Sequence, residues 1–141
     1  MEDINALDEI HKGSCMGSDA ISFILEKVDD KKLEKLLRDQ YKSYKEMQSR
    51  IDDIYPKYNE GKSHSTSMPE KVMTDSMINM KLKKDKSTSH IAELLIQGTN
   101  MGIIEGRRIL NKKNVNEEVH SLISKYVSLQ EKYLDSLKEF L

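Results

Sequence analysis

One five-residue pattern, Gly-x-x-Met-Gly, occurs twice in this chain, 85 positions apart: Gly13-Ser14-Cys15-Met16-Gly17 and Gly98-Thr99-Asn100-Met101-Gly102. The same offset, with no gap, sets Ile24 and Leu25 on Ile109 and Leu110, Leu37 on Leu122, and Tyr41, Ser43 and Glu46 on Tyr126, Ser128 and Glu131. It still holds where Tyr55 falls on Phe140. Internal repetition of this kind constrains a fold more than any single residue, because each copy must supply a face for the other to cover.

Within each copy the apolar residues recur at intervals of three and four, the period of an amphipathic helix. The first helix is expected from about Ile4 to Val28, with Ile10, Gly13, Gly17, Ile21, Ile24 and Val28 on one face. Asp29 or Asp30 is placed to cap a second helix after a short turn, which makes a hairpin. That second helix carries Leu33, Leu37, Tyr41, Tyr44, Met47, Ile51 and Tyr55 inward and is expected to stop at Pro56. In the second copy a helix runs through Ile91, Leu95, Gly98, Gly102 and Ile109, and Asn114 with Glu117 forms a capping-box pattern. Helix four then directs Val119, Leu122, Ile123, Tyr126, Leu129, Tyr133, Leu137 and Phe140 inward.

Pro56 and Pro69 bracket the main linker, with Gly61 and the run Ser63 to Ser67 between them. Beyond it, Met73, Met77 and Met80 keep helical spacing, and a break is expected near Lys86 to Ser89, where serines favour a cap over a helix interior. The fold class that follows is all-α: a single four-helix bundle over 1–141, made of hairpin 4–58, connector 59–88 and hairpin 89–141. The connector is long enough to travel the bundle's length, so helix three is expected to run antiparallel to helix one; an up-down-up-down bundle is the alternative topology.

Composition removes several function classes. Lysine and arginine, 23 together, nearly balance 24 acidic residues, which argues against the global basic field of a nucleic-acid binder. The single cysteine rules out an intrachain disulfide, and no apolar run approaches the roughly 20 residues of a membrane span. The acidic start, Met1-Glu2-Asp3-Ile4-Asn5, lacks the basic-then-apolar pattern of a secretion signal. These features lead to the expectation of a cytoplasmic protein.

The stretch from Ser89 to Ile103, Ser-His-Ile-Ala-Glu-Leu-Leu-Ile-Gln-Gly-Thr-Asn-Met-Gly-Ile, together with the paired hairpins Ile4 to Tyr58 and Ser89 to Leu141, resembles the ferritin-like four-helix bundles. Within them the chain is similar to small uncharacterised and spore-coat-F-type bundles of spore-forming bacteria. That resemblance implies a ferritin-like topology and admits a spore-associated location. It also raises a metal centre, since ferritin-like metal proteins place one Glu on each of two helices and a Glu-x-x-His pair on each of the other two. The repeat-related glutamates here, Glu46 and Glu131, are followed three residues later by Ser49 and Leu134, and both point outward by helical phase. A Glu117-x-x-His120 pair exists only in the first turn of helix four, with Lys32 and Lys35 at the matching places of copy one.

The remaining metal candidates are Glu9, His11 and Glu105, which an antiparallel crossing of helices one and three would bring to one level; two carboxylates there either share a proton or hold a cation. The bland alternative sends both glutamates to solvent or to a neighbouring arginine or lysine. His11 and Cys15 form an i, i+4 pair suited to a soft metal, but no third ligand is evident, and Cys15 falls on the outward side with no identifiable base. Lys81, Lys83, Lys84 and Lys86 read as a solvated face. Each helical glycine costs about 1 kcal/mol relative to Ala, so the matched glycines require an offsetting gain. Close backbone crossing of helices one and three would supply it, with a ligand groove as the alternative.

The chain is therefore expected to be a non-enzymatic structural or protein-interaction module. It should need no cofactor and should associate with itself or a protein partner through the methionine-rich segment, not with nucleic acid or membrane. The competing reading is a ferritin-like metal- or small-ligand-binding protein using carboxylates between helices one and three.

Overall fold

The computed structural model describes residues 2–61, 78–79, 82, 87–112 and 114–141. Four long helices make up nearly all of it: α1 (Glu2–Leu25), α2 (Lys31–Tyr58), α3 (Thr88–Lys112) and α4 (Glu117–Lys138). The protein is an all-helical four-helix bundle, and no strand occurs among the described residues. Met73, Met77 and Met80, with the lysine run, lie outside the described residues.

Local chemistry accounts for the helix ends. Asp30 caps α2, its carboxylate accepting from the Leu33 N–H at 2.9 Å. Ser87 does the same for α3, accepting from the His90 N–H at 3.2 Å. Three boundaries differ from expectation. α1 ends at Leu25 rather than Val28, in a turn where the Lys27 and Val28 N–H groups bond the Ile24 and Leu25 carbonyls. α2 runs two residues past Pro56, because the ring forbids one N–H bond but holds a φ that suits a helix; Gly61, at φ 81°, then closes the end by donating to the Pro56 carbonyl. The cap of α4 is Asn116, not Asn114: its side chain accepts from the Glu118 N–H at 2.9 Å.

Bonds at one end of the bundle set the helix directions. The backbone N–H groups of Asn114 and Asn116 donate to Glu2 Oε2 at 3.0 Å and Asp3 Oδ1 at 2.6 Å, so the α3–α4 turn sits on the N-terminus of α1. The exposed first turn of a helix carries unpaired positive dipole, and its acidic residues are placed to answer donors there. At the same end Tyr55 donates to Asp8 at 2.8 Å and Tyr58 to Glu118 at 2.9 Å, which brings in the C-terminus of α2. Hence α1 and α4 run one way and α2 and α3 the other. α2 ends, and α3 begins, at opposite ends of the bundle.

The buried faces repeat with a small but consequential change. Each buried position of α3 (Ile91, Ala92, Leu95, Thr99, Ile103, Gly106 and Ile109) lies 85 residues after a buried position of α1. For the second helices the offset is 86: Leu33, Leu37, Gln40, Tyr44 and Ile51 correspond to Val119, Ile123, Tyr126, Gln130 and Leu137. The extra residue falls in the α3–α4 turn. It rotates α4 by one position, about 100°, so Leu122, Leu129, Tyr133 and Phe140 are half-buried rather than inward and Val127 and Gln130 enter the core instead; on α2, Tyr41 is likewise half-buried and Gln40 is buried in its place. Leu82, beyond the hairpins, is buried with the same cluster.

Candidate functional site

The bundle's centre is polar. Gln40 of α2 and Gln130 of α4 are both fully buried, and the Gln40 Nε2 lies 3.1 Å from Gln130 Oε1, 3.0 Å from Thr99 Oγ1 and 3.3 Å from the Tyr44 hydroxyl. An amide NH2 has two hydrogens for these three acceptors. Gln40 Oε1 and Gln130 Nε2 face no partner among the described residues. Turning both amides over exchanges the roles of N and O, yet still leaves one donor and one acceptor unpaired. The 86-residue correspondence gives the layer its plan: Gln40 matches Tyr126 and Tyr44 matches Gln130, so the two helices carry the same pair in exchanged order.

The tyrosines of this layer account for two of the repeated glycines, Gly17 and Gly102. A side-chain carbon at Gly17 would lie 2.4 Å from the Tyr44 ring, and one at Gly102 would lie 3.1 Å from the Tyr126 hydroxyl; at Gly106 the obstacle is Val127 at 2.4 Å. Gly13 faces the same Tyr126 hydroxyl at 3.9 Å, while Gly98 has nothing within 4 Å and is exposed. None of these positions meets another helix's backbone. The expectation of backbone-to-backbone crossing is thus replaced: Gly17 and Gly102 make room for aromatic rings arriving from α2 and α4, and Gly106 for Val127. The two rings tilt against each other at 52° with centroids 6.4 Å apart, a favourable edge-on contact. Burial pushes the Tyr44 phenol up to about 12 and raises that of Tyr126 as well, with the nearby Tyr44 adding to the latter.

The sequence candidates for a metal lie apart from this layer. Glu9 and Glu105 are half-buried on α1 and α3. The two ring nitrogens of His11 face Cys15 and Asp52. Among the described residues no three His, Cys, Asp or Glu side chains converge as a metal ion requires. Glu46 is exposed, and Glu131 is held by Arg107 at 2.9 Å on the surface. Glu117 and His120 are both exposed in the first turn of α4.

Around Cys15 the structure adds what the sequence lacked. The thiol is half-buried, and its Sγ lies 3.6 Å from His11 Nδ1, one turn earlier on α1. His11 is buried, and its Nε2 is 3.2 Å from Asp52 Oδ1 of α2. With Nε2–H donating to the carboxylate, Nδ1 is left as the acceptor for the thiol hydrogen. Burial pushes the Cys15 thiol up to about 11, with Asp19 and Asp52 acting in the same direction and Lys45 against them. The i, i+4 spacing of His11 and Cys15 is a legible signal, whereas Asp52 joins from another helix 37 positions after Cys15, beyond any local pattern.

Comparison with protein-family models, curated proteins and solved structures finds no match to this chain.

One surface concavity lies between α2 and α4, a groove of about 350 Å³ over Ile54 and Leu122 with Arg50, Asp53 and Lys125 at its rim. It is open and shallow, and Glu118 on its edge is already engaged by Lys57 and Tyr58. Among the described residues, the exposed large apolar side chains on a helix are elsewhere: Met101 and Ile104 of α3 are 68% and 43% exposed. No helix among the described residues is long and apolar enough to cross a membrane.

Proposed function

We propose that this protein is a non-enzymatic, ferritin-like bundle built from a duplicated hairpin, and that it acts as a protein-interaction module by associating with a second copy of itself. The observation that carries the reading is the central layer. Where metal-binding ferritin-like bundles direct carboxylates and histidines inward, this chain directs Gln40, Tyr44, Thr99, Tyr126 and Gln130, whose neutral groups mostly bond one another. The matched burial of α1 with α3 at 85 residues and of α2 with α4 at 86 supports the duplication. The reversal of direction between α1 and α3 supports the ferritin-like topology.

Assembly is placed on the outer face of α3. Met101 and Ile104 project there beside the open Gly98. Two copies of α3 laid antiparallel about Asn100 and Met101 would set Glu93 level with Arg108 of the second copy, a self-complementary contact of the kind a two-fold dimer needs. The methionine-rich segment named from the sequence lies outside the described residues. Sedimentation of the full chain tests the reading: concentration-dependent dimerisation is expected, lost when Met101→Asp and Ile104→Asp are combined. A monomer at every concentration overturns it. Elemental analysis of protein purified without chelators provides the second arm, since a stoichiometric transition metal would favour instead the binding reading that uses Glu9 and Glu105.

A further inference from the structure

The chain's sole cysteine stands in a relay that the assembly role does not use. Cys15 Sγ, His11 Nδ1, His11 Nε2 and Asp52 Oδ1 follow one another at 3.6 Å and 3.2 Å across the imidazole ring. The order is that of an activated thiol: nucleophile, base, and a carboxylate that fixes the base's tautomer and steadies its charge. We propose that Cys15 is a covalent modification site for small electrophiles, with hydroperoxides as the natural class, in which His11 accepts the thiol proton and Asp52 orients and steadies the imidazole.

Placement narrows the chemistry. Cys15 lies in the middle of α1, where backbone N–H groups are committed to helix bonds and none is available to hold an oxyanion. Acyl transfer is disfavoured for that reason, and a single displacement by sulfur at a peroxide oxygen remains. The thiol proton passes to His11 Nδ1 as sulfur attacks the terminal peroxide oxygen; the O–O bond breaks, and the departing hydroxide or alkoxide takes the proton from Nδ1 to leave as water or an alcohol. Cys15 is oxidised to the sulfenic acid and the peroxide is reduced. Since the chain has one cysteine, no second thiol of the same molecule can displace the new hydroxyl. An external thiol would do so, forming a mixed disulfide and water.

The surroundings make the relay necessary for reaction at neutral pH. Burial and the neighbouring carboxylates favour the protonated thiol, so spontaneous ionisation contributes little. A base already in contact bypasses that barrier. The two roles also leave a kinetic signature, because a plain thiol reacts in proportion to its thiolate fraction, about tenfold faster per pH unit below its pKa, whereas a base-assisted thiol flattens once the base is unprotonated.

The test measures alkylation by iodoacetamide and oxidation by hydrogen peroxide, the latter trapped with dimedone and read by mass, on the folded full chain between about pH 6 and pH 10. The wild type should react at neutral pH with a shallow pH dependence. His11→Gln should slow both reactions by about 100-fold, and Asp52→Asn by a smaller factor, because the half-exposed carboxylate is screened by solvent. Asp52 is 55% exposed, so its variant keeps the fold and decides the matter if His11→Gln does not fold. Rates that climb steeply through pH 10 and are unchanged by Asp52→Asn would overturn the proposal.

Discussion

The two hairpins are alike in how they pack and unlike in the chemistry they carry. At the positions related by 85 residues, Ile10 corresponds to Leu95, Ser14 to Thr99 and Ile24 to Ile109, so burial recurs even where size or polarity changes, as at Ser18 and Ile103 or Ile21 and Gly106. The thiol relay of hairpin one has no counterpart: His11, Cys15 and Asp52 correspond to Ile96, Asn100 and Lys138. Core positions are constrained by their neighbours on three helices, since interiors are close-packed and a change of one methylene is felt. Positions on the seam between helices meet fewer neighbours and can diverge, and the only cysteine of the chain lies on such a seam.

The largest test of that comparison concerns the matched glycines. Gly17→Leu would drive a side chain into the buried Tyr44 ring and should cost about 3 kcal/mol or more, measured by denaturant unfolding. Gly102→Leu meets only the far end of Tyr126 and should cost about 1 to 3 kcal/mol. Equal losses would mean that the hairpins are packed more alike than their rings suggest.

Next is the exchanged Gln and Tyr pair. Gln40→Ala strands Gln130 and Thr99 in the core and should destabilise by about 1 to 3 kcal/mol. Replacing Gln40 and Gln130 together by Leu should be nearly neutral or stabilising, because both desolvated amides disappear at once. A double-mutant cycle measures the coupling between them, and additive losses would show that the layer does not act as a unit.

Alkaline unfolding sharpens the same layer. The folded-state pKa of Tyr44 is about 12, above the ordinary phenol value near 10, so the native state holds the proton more tightly than the unfolded chain. Its contribution is complete below about pH 10 and is lost as pH rises toward 12. Tyr126, raised in the same direction, adds to the loss. Tyrosinate absorbance from these two rings and the fall in helical circular dichroism should therefore coincide. A full tyrosinate signal with the helices intact would break the assignment of Tyr44 and Tyr126 to the core.

The smallest effect is at Gly98. With nothing within 4 Å of a new methyl, Gly98→Ala should stabilise by about 1 kcal/mol through helix propensity. A loss there would reveal a contact on α3's outer face, the face proposed for assembly.

The sequence by itself determined the helical class, the four helices, the short turns and, on α1, the inward placement of Ile10, Ile21 and Ile24, because periodicity and capping are local. It also contained the repeat, and the constant offset of Tyr41 with Tyr126 made the second helices look equivalent. Tertiary structure decided otherwise. One added residue in the α3–α4 turn turned α4 about its axis, which put Gln130 against Gln40 and Tyr126 between Gly13 and Gly102. Which glycines accept rings could not be read from spacing, since Gly17 and Gly98 differ only in what the other helices bring to them. The same holds for Asp52: its place beside His11 depends on α2 folding back along α1, and contacts between residues far apart in the chain exist only once the helices pack.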